Sequence, residues 1–171
     1  MATAKKAKPV PDGYHSVTPP LVVRGAAKAL TFYQKAFGAE EMYRMPGPEG
    51  KILHAEMKIG DSVVMLSDEF PLQGPQDEGA KAPETLKGTT GGLMLYVKDV
   101  DKLYERSVKA GAKGLMPVTD MFWGDRYGKL IDPFGHVWAV ATHVEDVPPK
   151  EMEKRQAAHM ADAKKLQAKK G

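Results

Sequence analysis

His54 and Glu56 stand two residues apart within the strand-like run Ile52 to Ile59. On a strand that spacing turns both side chains to one face of the sheet. An imidazole beside a carboxylate could move a proton to or from a bound molecule, or give two ligands to a divalent ion. It could equally be an ion pair on a solvent-facing strand. Phe122, Trp123, Arg126 and Tyr127 form a second group, aromatic faces with a fixed positive charge near Gly124 and Gly128. Such a cluster can stack on a planar ligand and pair with its carboxylate. Alternatively, Trp123 plugs an open sheet and Arg126 pairs with Asp120 or Asp125. His143 shares parity with Ala139 and Ala141 at the end of the run Val137 to His143, where it could touch a ligand. His136 follows a turn glycine and is expected to satisfy backbone groups, whereas His15 and His159 lie at or in the tails.

Several chemistries are excluded. The chain has no cysteine, so thiolate nucleophiles, disulfides, zinc knuckles and iron–sulfur clusters are absent. Gly88 to Gly92 lacks the Lys-Ser/Thr ending of a phosphate loop, and no Gly-x-Ser-x-Gly elbow occurs. The net charge is +3, but residues 1–13 carry +2 and residues 148–171 carry +4, leaving −3 for residues 14–147. A mildly acidic body with basic tails is not the stripe that specific nucleic-acid binding needs. Val63 to Leu66, among the longest aliphatic runs, falls far short of the roughly 20 residues that cross a bilayer. With no apolar stretch behind the N-terminal lysines, a cytoplasmic protein is expected.

The residues singled out need elements to hold them, and the hydrophobic pattern supplies these twice. Val17 to Val23 reads as a strand, with Pro19 and Pro20 demanding an edge or a strand end. Ala26, Leu30, Tyr33 and Phe37 mark one helix face, closed by Gly38. Strands follow at Glu41 to Met45, Ile52 to Ile59 and Ser62 to Ser67, the last two joined through Gly60-Asp61. After a Pro/Gly-rich connection the order returns. A strand at Leu93 to Val97 precedes a helix marked by Val100, Leu103, Ser107 and Ala110, then Gly111. Strands at Gly114 to Val118, Arg126 to Ile131 and Val137 to His143 complete it. Val23 aligns with Val97 and Ala36 with Ala110 at one constant offset, so the chain is a tandem repeat. Trp138, opposite in parity to Ala139, is expected under a helix. The fold class is α+β: two tandem βαβββ modules with curved mixed sheets around a cavity.

Phe32-Tyr33-Gln34-Lys35-Ala36-Phe37-Gly38-Ala39, Trp123-Gly124-Asp125-Arg126-Tyr127-Gly128 and Asp132-Pro133-Phe134-Gly135-His136-Val137-Trp138 carry a family likeness. The chain resembles the vicinal oxygen chelate superfamily of glyoxalase I, bleomycin-resistance proteins and extradiol dioxygenases. Within it, the chain is similar to the branch formerly labelled 3-demethylubiquinone methyltransferase-like. The resemblance covers about residues 14–147: module 1 at 14–68, a connector at 69–92 and module 2 at 93–147. Residues 1–13 are expected to be a disordered basic tail, and 148–171 a basic helical or disordered one.

The resemblance implies a sheet-lined cavity and, in metal-using members, four ligands whose positions fall here at Thr18, Met65, Gly92 and Ala139. None is a His or Glu, so a glyoxalase reaction through a metal-polarised enediolate is not expected. The reading is therefore a small-molecule binding protein without a cofactor or metal. Met65, Met94, Tyr96 and Ala139 line its cavity, Trp123, Arg126 and Tyr127 stand at the mouth, and His143 is within reach. The alternative is a metal-dependent isomerase, lyase or dioxygenase with a divalent ion moved to His54, Glu56 and a third donor such as His143. His54 and Glu56 are the catalytic candidates in either case. The resemblance also implies a homodimer, and the 69–92 connector is expected to act as a lid beside the cavity. No specific nucleic acid or membrane partner is expected.

Overall fold

A computed structural model describes residues 7–71 and 80–168. Pro20 opens the first strand, β1 (Pro20–Val23), because a residue without an N–H can start an edge strand but cannot continue one inside a sheet. Val17 to Pro19 stay outside it, although the Pro19 carbonyl still accepts from Met65 N–H at 3.0 Å. The chain continues through α1 (Ala26–Phe37), β2 (Glu40–Pro46), β3 (Ile52–Ile59) and β4 (Ser62–Asp68). The second half runs α2 (Pro83–Leu86), β5 (Gly92–Tyr96), α3 (Val100–Ala110), β6 (Lys113–Asp120), β7 (Asp125–Ile131) and β8 (Val137–His143), followed by α4 (Pro149–Ala168). Gly38 (φ 71°) and Gly111 (φ 118°) end α1 and α3 in the left-handed region, where a side chain is strained.

Two four-stranded sheets result, ordered β1-β4-β3-β2 and β5-β8-β7-β6, each with one parallel pair at its inner edge. Their registers are equivalent: Pro20 pairs with Met65, and Met94 with Ala139. α1 packs on the first sheet and α3 on the second, and the two helices pack on each other. Arg106 Nε of α3 donates to the Ala36 carbonyl of α1 at 2.9 Å. Alternation along each strand buries Ala55, Met57, Ile59, Val64 and Leu66 on the helix side of the first sheet, and Leu130, Trp138 and Val140 on the helix side of the second. The Trp138 ring lies 4.6 Å from that of Phe37 of α1, tilted by 54°, so it packs under a helix as its parity implied.

The halves are clamped through Asp132. Its Oδ1 accepts from Phe134 and His136 N–H, each at 2.9 Å, and its Oδ2 accepts from Tyr33 OH at 2.7 Å and Trp138 Nε1 at 2.9 Å. Burial, followed by the charge of Asp132, pushes the Tyr33 phenol well above its ordinary range. His136 does satisfy a backbone group, but on the other half: its Nε2 lies 3.1 Å from the Val22 carbonyl.

Of the 69–92 connector, residues 72–79 lie outside the described residues. Its later part does not lie on an open sheet face. Ala82 and Pro83 are buried, and the Pro83 ring packs at Gly135 in the turn before β8. Residues 1–6 and 169–171 of the tails also lie outside, but 149–168 is helical. Among the described residues no helix is long and apolar enough to cross a membrane.

Candidate functional site

Because α1 and α3 each take one face, every second strand residue points to the other face, and there the candidate residues collect into two groups. On the second sheet the centre is Asp125, which pairs in register with His143. His143 Nδ1 lies 2.7 Å from Asp125 Oδ1, and Tyr96 OH and Trp123 Nε1 donate to Oδ2 at 2.9 and 3.0 Å. Trp123 meets Tyr127 edge-on at 5.7 Å. His143 Nε2 is 2.9 Å from Asp146 Oδ1. Carboxylates only accept, so both contacts become hydrogen bonds when the imidazole is protonated. Hydrogen bonds to Asp125, then to Asp146, raise its pKa. Burial alone would lift the Asp125 carboxyl, but its donors, His143 first, outweigh this and hold it below the usual range.

In the sequence Asp125 stands only as a possible partner for Arg126, whereas the structure makes it the centre of this group. Parity was the available signal: Asp125 is two residues from Tyr127 and shares its face. The same parity removes Arg126 from the expected mouth. Arg126 points to the helix side, where Asp101 of α3 takes Nε and Nη2 at 2.6 and 2.7 Å and Asp120 takes Nη1 at 3.0 Å. The two acids engage all three of its nitrogens, so it is a strut between β6, β7 and α3. The turn before Asp125 is equally fixed. A Cβ at Gly124 (φ 97°) would lie 2.1 Å from the Glu145 carbonyl oxygen, so only glycine lets the chain after β8 cross there.

On the first sheet, His54 Nε2 lies 3.0 Å from Glu56 Oε1, and Tyr14 OH donates to Glu56 Oε2. These hydrogen bonds, His54 first, hold the Glu56 carboxyl below its ordinary value, and that with Glu56 raises the Tyr14 phenol. Tyr14 belongs to the N-terminal segment, which with Thr18, Glu56 and Met65 lines an open recess of about 340 Å³. No feature of the sequence marked Tyr14, because its contact spans 42 positions without regular structure between Tyr14 and β1.

Contrary to expectation, Met65 therefore does not share a wall with Met94, Tyr96 and Ala139. Met65 lies on β4 of the first sheet beside Glu56, while the other three lie on β5 and β8 of the second. The four positions that the resemblance assigns to metal ligands do not fit a divalent ion. Thr18 Oγ1 donates to the His15 carbonyl at 3.2 Å, and Met65 and Ala139 bring no hard donor. Any side chain at position 92 would start 2.6 Å from the Val137 carbonyl oxygen. The relocated set fares no better: His54 and Glu56 are on one sheet, and His143 is held by two acids on the other. Among the described residues no three His, Asp or Glu side chains are grouped to hold a metal ion.

Comparison with known proteins agrees with this architecture. The profile of the Glyoxalase/Bleomycin resistance protein/Dioxygenase superfamily matches residues 13–140. An uncharacterised protein of Mycobacterium bovis is 44% identical over 134 residues, covering 77% of this chain and 86% of that protein. TioX from Micromonospora sp. ML1 superposes with a TM-score of 0.61 at 25% identity, over 76% of this chain and 99% of its own. The fosfomycin resistance protein FosX of Listeria monocytogenes, solved with Mn(II) and a dihydroxypropylphosphonic acid, gives 0.54 at 19% identity, over 81% and 94%.

Proposed function

The chain belongs to the glyoxalase/bleomycin resistance/dioxygenase superfamily, and on that premise we propose that it binds a small organic molecule without a metal, on the open face of the second sheet. The observation that carries the reading is the convergence of Tyr96, Trp123 and His143 on Asp125, with Tyr127 against Trp123. Aromatic faces whose polar edges are already hydrogen-bonded are held rigid, so a planar ligand can stack on them at little entropic cost. Met94 and Ala139 extend the same face with apolar surface. Each sheet keeps one face uncovered by its helix, which favours a homodimer that closes sheet against sheet. The placement of His54 beside Glu56 keeps that pair as the catalytic candidate, should the bound molecule also react.

Thermal-shift screening against planar antibiotics and small keto and phosphonate compounds tests the reading, followed by tryptophan emission of each hit in the wild type and in Trp123→Phe. A stabilising compound that works in EDTA and alters Trp123 emission is expected. Stabilisation only with a divalent metal, or hits that leave Trp123 emission unchanged, would overturn it.

A further inference from the structure

The two halves differ in the turn that joins their last two strands. In the second half the turn is long, Asp132 to His136, and it reaches the first half. Phe134 packs 6.2 Å from Phe32, and His136 meets the Val22 carbonyl of β1. In the first half the equivalent turn is only Gly60-Asp61. It has neither an aromatic ring nor an imidazole to send toward β5. A cleft of about 550 Å³ remains there, between this turn and β5. Ile59, Val64, Leu93, Leu95 and Trp138 line it, and the cleft opens onto the hydrophobic core between the halves. A further recess of about 300 Å³ continues beyond Gly60 toward Phe37 and Leu103.

We propose that this cleft is a second ligand site, for a molecule with an apolar body and an uncharged or cationic end that donates a hydrogen bond. Its size lies within the range of small-molecule sites, and its aliphatic walls beside an indole favour an apolar body. The rim sets the polarity. Ser62 Oγ donates to Asp61 Oδ1 at 2.9 Å, which leaves the second carboxylate oxygen to accept from a ligand. An anionic end would face that carboxylate across the mouth and is disfavoured. The site is separate from the Asp125 group, which faces the other side of the second sheet, although Met94 and Tyr96 border both.

The test uses N-phenyl-1-naphthylamine, an apolar neutral amine that fluoresces when removed from water, and its sulfonated anionic analogue 1-anilinonaphthalene-8-sulfonate. Titration of the full chain should show saturable binding of the amine and binding of the sulfonate several-fold weaker. Ser62→Phe fills the half-exposed rim, and Leu93→Phe fills the wall. Each variant that keeps the wild-type melting temperature should lose at least about tenfold in affinity for the amine, roughly 1.4 kcal/mol. Ser62 and Leu93 lie outside the Asp125 group, so this loss separates the cleft from the open-face site. Asp61→Asn should narrow the gap between the two dyes. Unchanged amine affinity in both filled variants, or equal affinity for the two dyes, would overturn the proposal.

Discussion

Asp132→Asn exchanges one carboxylate oxygen for an amide nitrogen and should cost much of the stability of the fold. The aspartate accepts four hydrogen bonds, two on each oxygen, and asparagine has one oxygen. If the amide nitrogen replaces Oδ2, the Tyr33 hydroxyl can turn and accept from it, but the Trp138 N–H cannot. If the nitrogen replaces Oδ1, it meets two backbone N–H groups, and neither can accept. Trp138 is 2% exposed, so water does not reach the orphaned donor. Losing one hydrogen bond to a charged acceptor and leaving a buried donor unpaired should together cost about 3 kcal/mol. With a urea slope of about 2 kcal/mol/M for a domain of this size, the midpoint should fall by about 1.5 M at unchanged slope. Trp138→Phe provides the control. It removes the same packing in either background, but in Asp132→Asn it also removes the orphan, so it should cost about 1 to 2 kcal/mol less there. A cost of Asp132→Asn below about 1 kcal/mol, or the same Trp138→Phe cost in both backgrounds, would refute the clamp.

Four further outcomes follow from the structure. His143 should titrate above the ordinary histidine value of 6.5, and Asp146→Asn should lower it, as read from the ring proton by NMR. Because the folded value is raised, the stabilisation is complete below 6.5 and disappears as pH rises through that folded value, so melting temperature should decline across this window. Glu56 behaves in the opposite sense. Its folded value is lowered, so its contribution is present above 4.5 and is lost as pH falls through the folded value; Tyr14→Phe should move its titration upward toward 4.5. Gly124→Ala should destabilise by more than about 2 kcal/mol in denaturant melts, since the new Cβ would overlap the Glu145 carbonyl and the φ is left-handed. Light scattering should report a dimer, and a strict monomer at all concentrations would argue against sheet-to-sheet closure.

Helix faces and their glycine ends are legible in the sequence because they depend on local periodicity and on one conformational rule. Ala26, Leu30, Tyr33 and Phe37, with Gly38 behind them, lie where that rule puts them. Trp138 is legible for the same reason, since strand parity against Ala139 is local. The sites were less so. Arg126 and Asp125 are neighbours whose faces differ by one residue, and grouping by chemistry instead of parity exchanged their roles. Met65 belongs to the same repeat position as Ala139, but equivalence within a repeat does not mean adjacency in space. Tyr14 reaches Glu56 through irregular chain that no periodicity describes. The cleft beside β5 arises from the difference between two turn lengths, and shows only when both turns are placed against the opposite half.

Metal content of the protein purified without chelators tests the central claim most directly. Elemental analysis should find divalent metal far below one equivalent per chain, and a ligand from the screen should shift the melting temperature equally before and after EDTA. One equivalent of a divalent ion per chain, lost in His54→Ala or Glu56→Gln, would contradict the account and return those two residues to a metal site.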